Sequence, residues 1–374
     1  MPIDRAAQAR GLGQSLWYDN ISRGLIASGA IRKLVDDGVI TGITTNPTIF
    51  QKAIESGAEY DDAIRALVSQ GKDVGAIYDR LSIDDVAAAA DVLKSVWERT
   101  QGKDGYVSLE VLPKYAHDVD GTVADGKRLW KELRRPNTMI KVPGTKEGVQ
   151  AFRRLTEDGV NVNVTLLFSV EQYEAIADAY VAAITTRLKK GLPVHAIASV
   201  ASFFVSRVDN SVDAALEAKA KEAGAAGAEL LKLRGKAGVA NCKAAYARFR
   251  ELFGAPFEEC RAKGAKPQRM LWASTSTKNP SYPDLLYVEN LFGPDTVNTL
   301  PPATLEAYLQ HGNARTATVL EKQGEALEVL KALDHADVDL RAICEKLQVD
   351  GVASFAKSID GVFAALKKKV PQNA

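Results

Sequence analysis

The stretch TMIKVPG, residues 138–144, sets the pattern from which the fold of this chain can be predicted. It is a short apolar run closed by Pro143 and Gly144, which is typical of a buried strand that opens into a loop. Lys141 stands inside this run, where a lysine is rarely buried without a reason. Desolvation disfavours the ammonium there and leaves more of the free amine, a nucleophile that forms Schiff bases with ketones. The structural alternative is a lysine that snorkels out of the strand end.

The same pattern recurs on both sides of residues 138–144, and helical segments at residues 84–99, 171–188 and 211–232 lie between the runs. Eight strand–helix units in 374 residues predict an α/β protein with the (β/α)8 TIM barrel fold. A doubly wound sheet is less favoured, because no G-x-G-x-x-G motif follows the first strand. The predicted strands are residues 15–19, 40–44, 106–110, 138–141, 161–167, 194–200, 270–274 and 286–288.

Residues 1–374 are predicted to form one domain, with two regions beyond a minimal barrel. The first, at about residues 229–266, connects the sixth and seventh strands, and the second, at about residues 302–369, adds C-terminal helices after the eighth. These terminal helices could form a cap, an edge of the active site or the surface of a homodimer. The sequence leaves these alternatives open.

Composition excludes several functional classes. The formal net charge is +1, from 48 basic and 47 acidic residues, and no basic stripe indicates nucleic-acid binding. An apolar stretch of about 18 residues and a signal peptide are both absent, so we expect a cytoplasmic protein without a membrane partner. The four histidines and three cysteines lack the spacing of metal ligands, so neither a metal nor a cofactor is expected.

Polar residues end or follow most of the predicted strands, and in a TIM barrel these positions converge on one mouth. Each has a structural alternative, such as a helix cap, a turn or a partner for the backbone. Together they place an amine, carboxylates, amides and hydroxyls at one site, which indicates a catalytic set. Its members are Asp19, Asn46, Glu110, Lys141, Asn163, Thr165, Ser202, Arg207 and Ser274.

This set suits the cleavage of a carbon–carbon bond through an imine. Lys141 would attack a ketone, and the resulting iminium would accept the electrons of the breaking bond. One carboxylate must take the proton from the hydroxyl that becomes an aldehyde, and another must move protons while the carbinolamine dehydrates. Asp19 and Glu110 are the pair available for these two tasks.

At these residues the chain resembles the transaldolase family, from about residue 15 to residue 288, and in particular its longer bacterial type. The resemblance lies in five motifs on successive strands: GITTNPT at 42–48, VSLE at 107–110, MIKVP at 139–143, NVTLLFS at 163–169 and SFFVSR at 202–207. It implies that Lys141 is the Schiff-base lysine and Asp19 the acid/base at the cleaved bond. It also implies that Glu110 and Thr165 position the catalytic water.

The resemblance further implies a set of substrate-binding residues. Amides would hold substrate hydroxyls, a serine and a phenylalanine would line the sugar pocket, and an arginine would bind the phosphate. Two departures from the family are visible: Phe203 replaces a common proline, and no second arginine follows the seventh-strand serine, where Lys278 is the substitute. The implied set is Asn46, Asn163, Ser202, Phe204, Arg207, Ser274 and Lys278.

The implied reaction transfers a dihydroxyacetone unit between sugar phosphates in the pentose phosphate pathway. The donor would be sedoheptulose 7-phosphate or fructose 6-phosphate, and the acceptor glyceraldehyde 3-phosphate or erythrose 4-phosphate. A fructose-6-phosphate-type class I aldolase on the same scaffold is the alternative. A non-catalytic barrel that binds sugar phosphates is the third hypothesis, and the presence of Lys141, Asp19 and Glu110 disfavours it.

Overall fold

The computed structural model describes residues 2–224 and 227–370, in which eight parallel strands close into a barrel. Each strand pairs with its neighbours in chain order, and the eighth pairs with the first. This arrangement confirms the predicted (β/α)8 fold. The strands are β1 (Gln14–Tyr18), β2 (Gly42–Ile43), β3 (Val107–Glu110), β4 (Thr138–Pro143), β5 (Val162–Leu167), β6 (Ser199–Phe204), β7 (Arg269–Ala273) and β8 (Thr296–Leu300).

Helices surround the barrel, and in residues 2–224 and 227–370 none is long and apolar enough to cross a membrane. Short 3₁₀ helices cover Pro113–Tyr115, Ala255–Phe257 and Thr318–Leu320. The α-helices are α1 (Pro2–Gly11), α2 (Arg23–Ala27), α3 (Ala30–Asp36), α4 (Pro47–Glu55), α5 (Asp61–Ser69), α6 (Val74–Arg99), α7 (Val119–Leu133), α8 (Lys146–Glu157), α9 (Val170–Lys189), α10 (Ser206–Ala223), α11 (Gly227–Leu231), α12 (Ala237–Leu252), α13 (Glu258–Ala262), α14 (Leu286–Glu289), α15 (Pro302–His311), α16 (Gln323–His335) and α17 (Leu340–Lys369).

The strands are buried along their whole length, since one face fills the barrel and the other packs against helices. In β4, Ile140 and Val142 belong to the apolar core, while Lys141 between them is also buried. This double burial explains why the strands read as nearly continuous apolar runs in the sequence.

The prediction for the eighth strand was wrong. Residues 286–288 lie in the short helix α14, and the strand that closes the barrel is β8, at Thr296–Leu300. A short apolar run such as Leu285–Val288 has no periodicity that separates a strand from a buried helical turn. The real strand, TVNTL, was overlooked because polar residues alternate with its apolar ones.

The sixth strand was predicted too early in the chain. It spans Ser199–Phe204 rather than residues 194–200, because Val194 and Ile197 are buried in the connection that precedes it. Ser202 and Phe204 therefore lie in β6 itself rather than beyond it. The first and seventh strands each begin and end one residue earlier than predicted. Asp19 and Ser274 therefore directly follow these strands and are not their last residues.

The predicted helices are present with different bounds. The segment at 84–99 is part of the longer α6, and the segment at 211–232 is divided between α10 and α11, with residues 225 and 226 outside the described part. The region 229–266 contains α12 and α13, and the region 302–369 contains α15, α16 and α17.

The last helix, α17, lies across the carboxyl ends of the strands. Gln348 in α17 donates hydrogen bonds to the carbonyl oxygens of Gly144 and Leu166, at 2.8 and 3.0 Å. Farther along the same helix, the Ser358 hydroxyl lies 2.8 Å from the Thr48 hydroxyl at the start of α4. Among the alternatives left open for the terminal helices, α17 therefore forms an edge of the barrel mouth.

Candidate active site

A cavity of about 620 Å³ opens at the carboxyl ends of the strands. The predicted site residues line it, except Glu110 and Asn163, which lie at its base in contact with lining residues. The members that line it are Asp19, Asn46, Lys141, Thr165, Ser202, Phe204, Arg207, Ser274 and Lys278. The barrel thus brings together residues that are far apart along the chain.

Lys141 points from β4 into this cavity and is only 5% exposed. Its ammonium nitrogen Nζ donates to the carbonyl oxygen of Thr45 at 3.0 Å and lies 3.8 Å from Glu110 Oε2. The ring of Phe355, from α17, has its centroid 5.8 Å from the same nitrogen. The amine therefore has one short hydrogen bond, one carboxylate neighbour and one aromatic neighbour.

Glu110 and Thr165 each place an oxygen atom at the base of the site without a hydrogen-bond partner in the described residues. These atoms are Glu110 Oε2 and Thr165 Oγ1, and both are buried. Burial raises the pKa of Glu110 to about 7, against the opposite effect of Lys141 and with a further rise from Asp19. Buried polar oxygens normally have partners, so this pair is suited to binding a polar group or a water molecule.

Asp19 follows β1 and accepts a hydrogen bond from the Thr44 hydroxyl at 2.6 Å. The Thr44 hydroxyl also contacts the hydroxyl of Thr299 in β8. Burial raises the pKa of Asp19, while the Thr44 hydrogen bond and the charges of Lys141 and Lys278 act in the opposite direction. The side chain of Asp19 is thus held by neighbouring strands. It is protonated more readily than the side chain of an exposed aspartate.

Asn163 of β5 lies inside the barrel, and its amide joins side chains of β3 and β6. Its Nδ2 donates to the Ser108 hydroxyl at 3.0 Å, and its Oδ1 accepts from the Ser202 hydroxyl at 2.7 Å. The chain of hydrogen bonds therefore runs from β3 through β5 to β6. It fixes the orientation of Ser202, which lines the cavity.

Arg207 occupies the first turn of α10, with its guanidinium carbon 5.1 Å from the centroid of the Phe204 ring. Burial lowers the pKa of Arg207. The Ser274 hydroxyl, directly after the next strand β7, lies 2.9 Å from the hydroxyl of Ser206, the neighbour of Arg207 in the chain. Lys278 also lines the cavity and donates to Ser276 at 2.7 Å. The cavity lining therefore includes the cations of Arg207 and Lys278 and several hydroxyls, which suits an anionic group.

Asn46 has a structural task as well as a place in the cavity wall. Its Oδ1 caps α4 by accepting from the backbone N–H of Ile49 at 3.1 Å, and Pro47 occupies the first helical position. Asn46 and Pro47 therefore start a helix and do not form an isolated turn. It leaves the amide nitrogen of Asn46 beside the cavity.

Several cavity residues were not identified from the sequence, among them Thr44, Thr299 and Phe355. Thr44 was quoted within a motif but given no role, and Thr299 lies in the strand whose position was mispredicted. The alternating pattern of β8 between Pro294 and Pro301 could have revealed it. Phe355 carries no local signal, because a phenylalanine on an amphipathic helix looks the same whether it faces a core or a cavity.

Comparisons with known proteins show the family to which the chain belongs. Residues 16–366 match the sequence model of the family described as transaldolase/fructose-6-phosphate aldolase. The chain is 46% identical over 356 residues to a transaldolase of Thiobacillus denitrificans, covering 95% of this chain and 97% of the relative. It is 42% identical over 375 residues to a transaldolase of Trichodesmium erythraeum, covering 99% and 98%. A transaldolase of Saccharopolyspora erythraea is 43% identical over 361 residues, with 96% of each chain covered.

Proposed function

The chain belongs to the transaldolase/fructose-6-phosphate aldolase family and is a transferase of the transaldolase type; from that premise we propose that its reaction proceeds through a Schiff base on Lys141. The observation that carries this proposal is the buried Lys141 amine in a polar cavity, 3.8 Å from the Glu110 carboxylate. A buried amine beside acid/base groups is suited to attack a ketone.

The proposed chemistry begins when the Lys141 nitrogen bonds to the ketone carbon of a sugar phosphate. The carbinolamine loses water and becomes an iminium. Asp19 takes the proton of the hydroxyl on the fourth carbon, the bond between the third and fourth carbons breaks, and its electrons pass into the iminium to form an enamine. The aldehyde product leaves, and an acceptor aldehyde then forms the new bond in the reverse sequence.

Glu110 and Thr165 are proposed to move protons during formation and loss of the carbinolamine. Both carry a buried oxygen without a hydrogen-bond partner in the described residues, and we propose that one water molecule bound to these oxygens relays protons between Glu110 and the carbinolamine hydroxyl. A carboxyl with a pKa of about 7 can both donate and accept a proton near neutral pH, as this relay requires.

The substrates are proposed to be sugar phosphates of the pentose phosphate pathway, with Arg207 as the phosphate ligand. Its guanidinium can donate several hydrogen bonds to one phosphate, and Lys278 supplies another positive charge to the cavity lining. Ser202, Phe204, Asn46, Asn163 and Ser274 are proposed to line or support the sugar pocket.

The fructose-6-phosphate aldolase alternative is not favoured, because the relatives above are named transaldolases. Cytoplasmic location and a homodimer remain predictions. Sedimentation velocity on the purified chain would measure the oligomeric state.

Trapping of the imine tests the proposed function. We expect borohydride with fructose 6-phosphate to reduce a covalent adduct onto Lys141, which peptide mass spectrometry can locate. The Lys141→Met variant should give no adduct. The Arg207→Ala variant should still give it, but at concentrations of sugar phosphate about ten to a hundred times higher, because hydrogen bonds to a charged group are lost.

Lys243→Met is the matched control, since Lys243 is also buried but donates to the Glu321 carbonyl outside the cavity. This variant should keep the adduct on Lys141. Absence of an adduct in the unaltered protein, or its presence on another lysine, would contradict the proposed mechanism.

A further inference from the structure

The proposed enamine on Lys141 can be lost in a side reaction with water that the proposed acid/base and phosphate-binding residues do not prevent. After the first aldehyde leaves, a proton and a water molecule can convert the enamine back to the free amine and release dihydroxyacetone. A transferase must keep this side reaction slower than the arrival of the acceptor. Exclusion of water from a reactive intermediate is one task of a closed site.

Phe355 is placed to exclude water from the Lys141 nitrogen. It is 6% exposed, lines the cavity, and has its ring centroid 5.8 Å from Lys141 Nζ. It also belongs to the buried apolar cluster that contains Phe168 and Phe204. An aromatic ring at this position covers one side of the amine with a surface that cannot donate a proton.

The contacts of α17 hold Phe355 in place on both sides. Gln348, Gly351, Phe355 and Ser358 follow one another at intervals of three or four residues, so they form one stripe along the helix. Gln348 binds the carbonyls of Gly144 and Leu166, and Ser358 contacts Thr48. The ring is thus fixed between two polar contacts to the barrel mouth.

Gly351 brings α17 close to the barrel. A Cβ atom at this position would lie 2.8 Å from Cδ2 of Leu166, so a larger residue would require either the buried Leu166 side chain or the helix to shift. The close approach sets how far Phe355 reaches over Lys141.

We propose that Phe355 is a specificity-determining residue that favours a sugar aldehyde over water as the acceptor of the enamine. This inference rests on the proposed Schiff-base mechanism. It assigns α17 a part in the outcome of the reaction, although this helix lies far from the strand motifs in the sequence.

The test compares two activities of one enzyme preparation with fructose 6-phosphate as donor. One is transfer to erythrose 4-phosphate, and the other is release of free dihydroxyacetone without an acceptor. In Phe355→Ala we expect the ratio of release to transfer to rise by about tenfold or more, as water reaches the intermediate. Phe355→Leu retains most of the apolar volume and should show a smaller rise.

Phe363→Leu is the matched control. Phe363 lies eight positions later on α17, where its ring packs edge-on against Tyr78 at 6.0 Å, outside the residues that line the cavity. This variant should leave the ratio unchanged. Thermal melting of each variant reports any loss of folding, and if Phe355→Ala does not fold, the ratio in Phe355→Leu decides.

The possible failures are distinguishable. If the unaltered protein gives no borohydride adduct on Lys141, the proposed mechanism fails. If it gives the adduct but the ratio is the same in Phe355→Ala, Phe355→Leu and the unaltered protein, Phe355 is a packing residue and this inference alone is wrong. An equal rise in Phe363→Leu would also overturn it, because the effect would then belong to the whole helix.

Discussion

Glu110 is the last residue of β3, and its surroundings shift the pKa of its carboxyl group in opposite directions. Loss of water favours the protonated form, the charge of Lys141 favours the ionised form, and the charge of Asp19 opposes ionisation. Desolvation dominates and raises the pKa to about 7. The same burial that suits Glu110 to proton transfer near neutral pH therefore costs stability when the group is ionised.

This cost predicts a pH-dependent effect of Glu110→Gln. In the unfolded chain the carboxyl of residue 110 has its ordinary pKa of 4.5, whereas burial raises its pKa to about 7 in the folded protein, so folding is penalised progressively as the pH rises through this window. Glutamine removes the penalty. The substitution changes the free energy of unfolding by a different amount at each pH. We expect this change to be more favourable to folding at pH 8 than at pH 4.5 by on the order of 3 kcal/mol.

Denaturant unfolding of both proteins at the two pH values measures this difference. The sign of the change in the free energy of unfolding at pH 8 is informative. Removal of a carboxylate that stabilises the fold would lower this free energy at the higher pH, whereas removal of Glu110 should raise it. A difference between variant and unaltered protein that is the same at pH 4.5 and pH 8 would show that Glu110 titrates as it does in the unfolded chain.

Among the elements, β5 and α17 depend on each other. The register of β5 against β6 shifts between Val164 and Leu167, and Leu166 has a φ of 61°, in the left-handed region that leucine rarely adopts. Gln348 of α17 stabilises this irregular segment by donating a hydrogen bond to the Leu166 carbonyl oxygen at 3.0 Å. Thr165 lies within this irregular segment, so the helix contact helps to place a proposed catalytic residue.

This dependence predicts that Gln348→Leu lowers both stability and activity. Two carbonyl oxygens, of Gly144 and Leu166, would lose their side-chain donor, which costs about 1–3 kcal/mol where such groups stay buried. Urea unfolding measures the loss. The turnover number kcat should also fall if the irregular segment moves Thr165. The KM for the sugar phosphate should stay close to that of the unaltered enzyme.

The matched control is Gln310→Leu, because Gln310 is exposed on α15 and donates only to Glu306 on the same helix. Its effect should stay within about 0.5 kcal/mol. Equal effects of the two substitutions would contradict a special role of Gln348 in joining the helix to the strands.

At the scale of the whole molecule, α17 connects parts that lie far apart in the sequence. It packs against α4, α6, α10 and β5. At its end, Lys369 donates to the Gly57 carbonyl at 2.6 Å and lies 2.7 Å from Asp61 Oδ1. A helix with partners in so many units should not open independently of the barrel, in keeping with the predicted single domain.

Hydrogen exchange tests this expectation. Peptides from residues 350–366 should exchange as slowly as those from residues 138–143, because opening α17 would expose buried residues such as Ile359, Val362 and Leu366. Mass spectrometry under native conditions measures both rates. Fast exchange in α17 beside a protected β4 would show that the helix is a separately opening unit and that the single-domain prediction needs revision.

The sequence by itself determined the barrel, most of its strands and the polar residues that meet at its mouth. Strand ends of a parallel barrel meet at one mouth, so polar residues such as Lys141 and Glu110 could be placed together from local patterns alone. Strand bounds were less secure where apolar runs were short, as at residues 286–288.

Only the tertiary structure decided which distant residues complete the site. The contacts of Thr299 with Thr44, Gln348 with Leu166 and Phe355 with Lys141 join segments that share no local signal. The physical reason is that an apolar stripe on a helix specifies that one face is buried but not against what. The packing of α17 across the barrel mouth supplied that information, and with it the aromatic cover over the Lys141 amine.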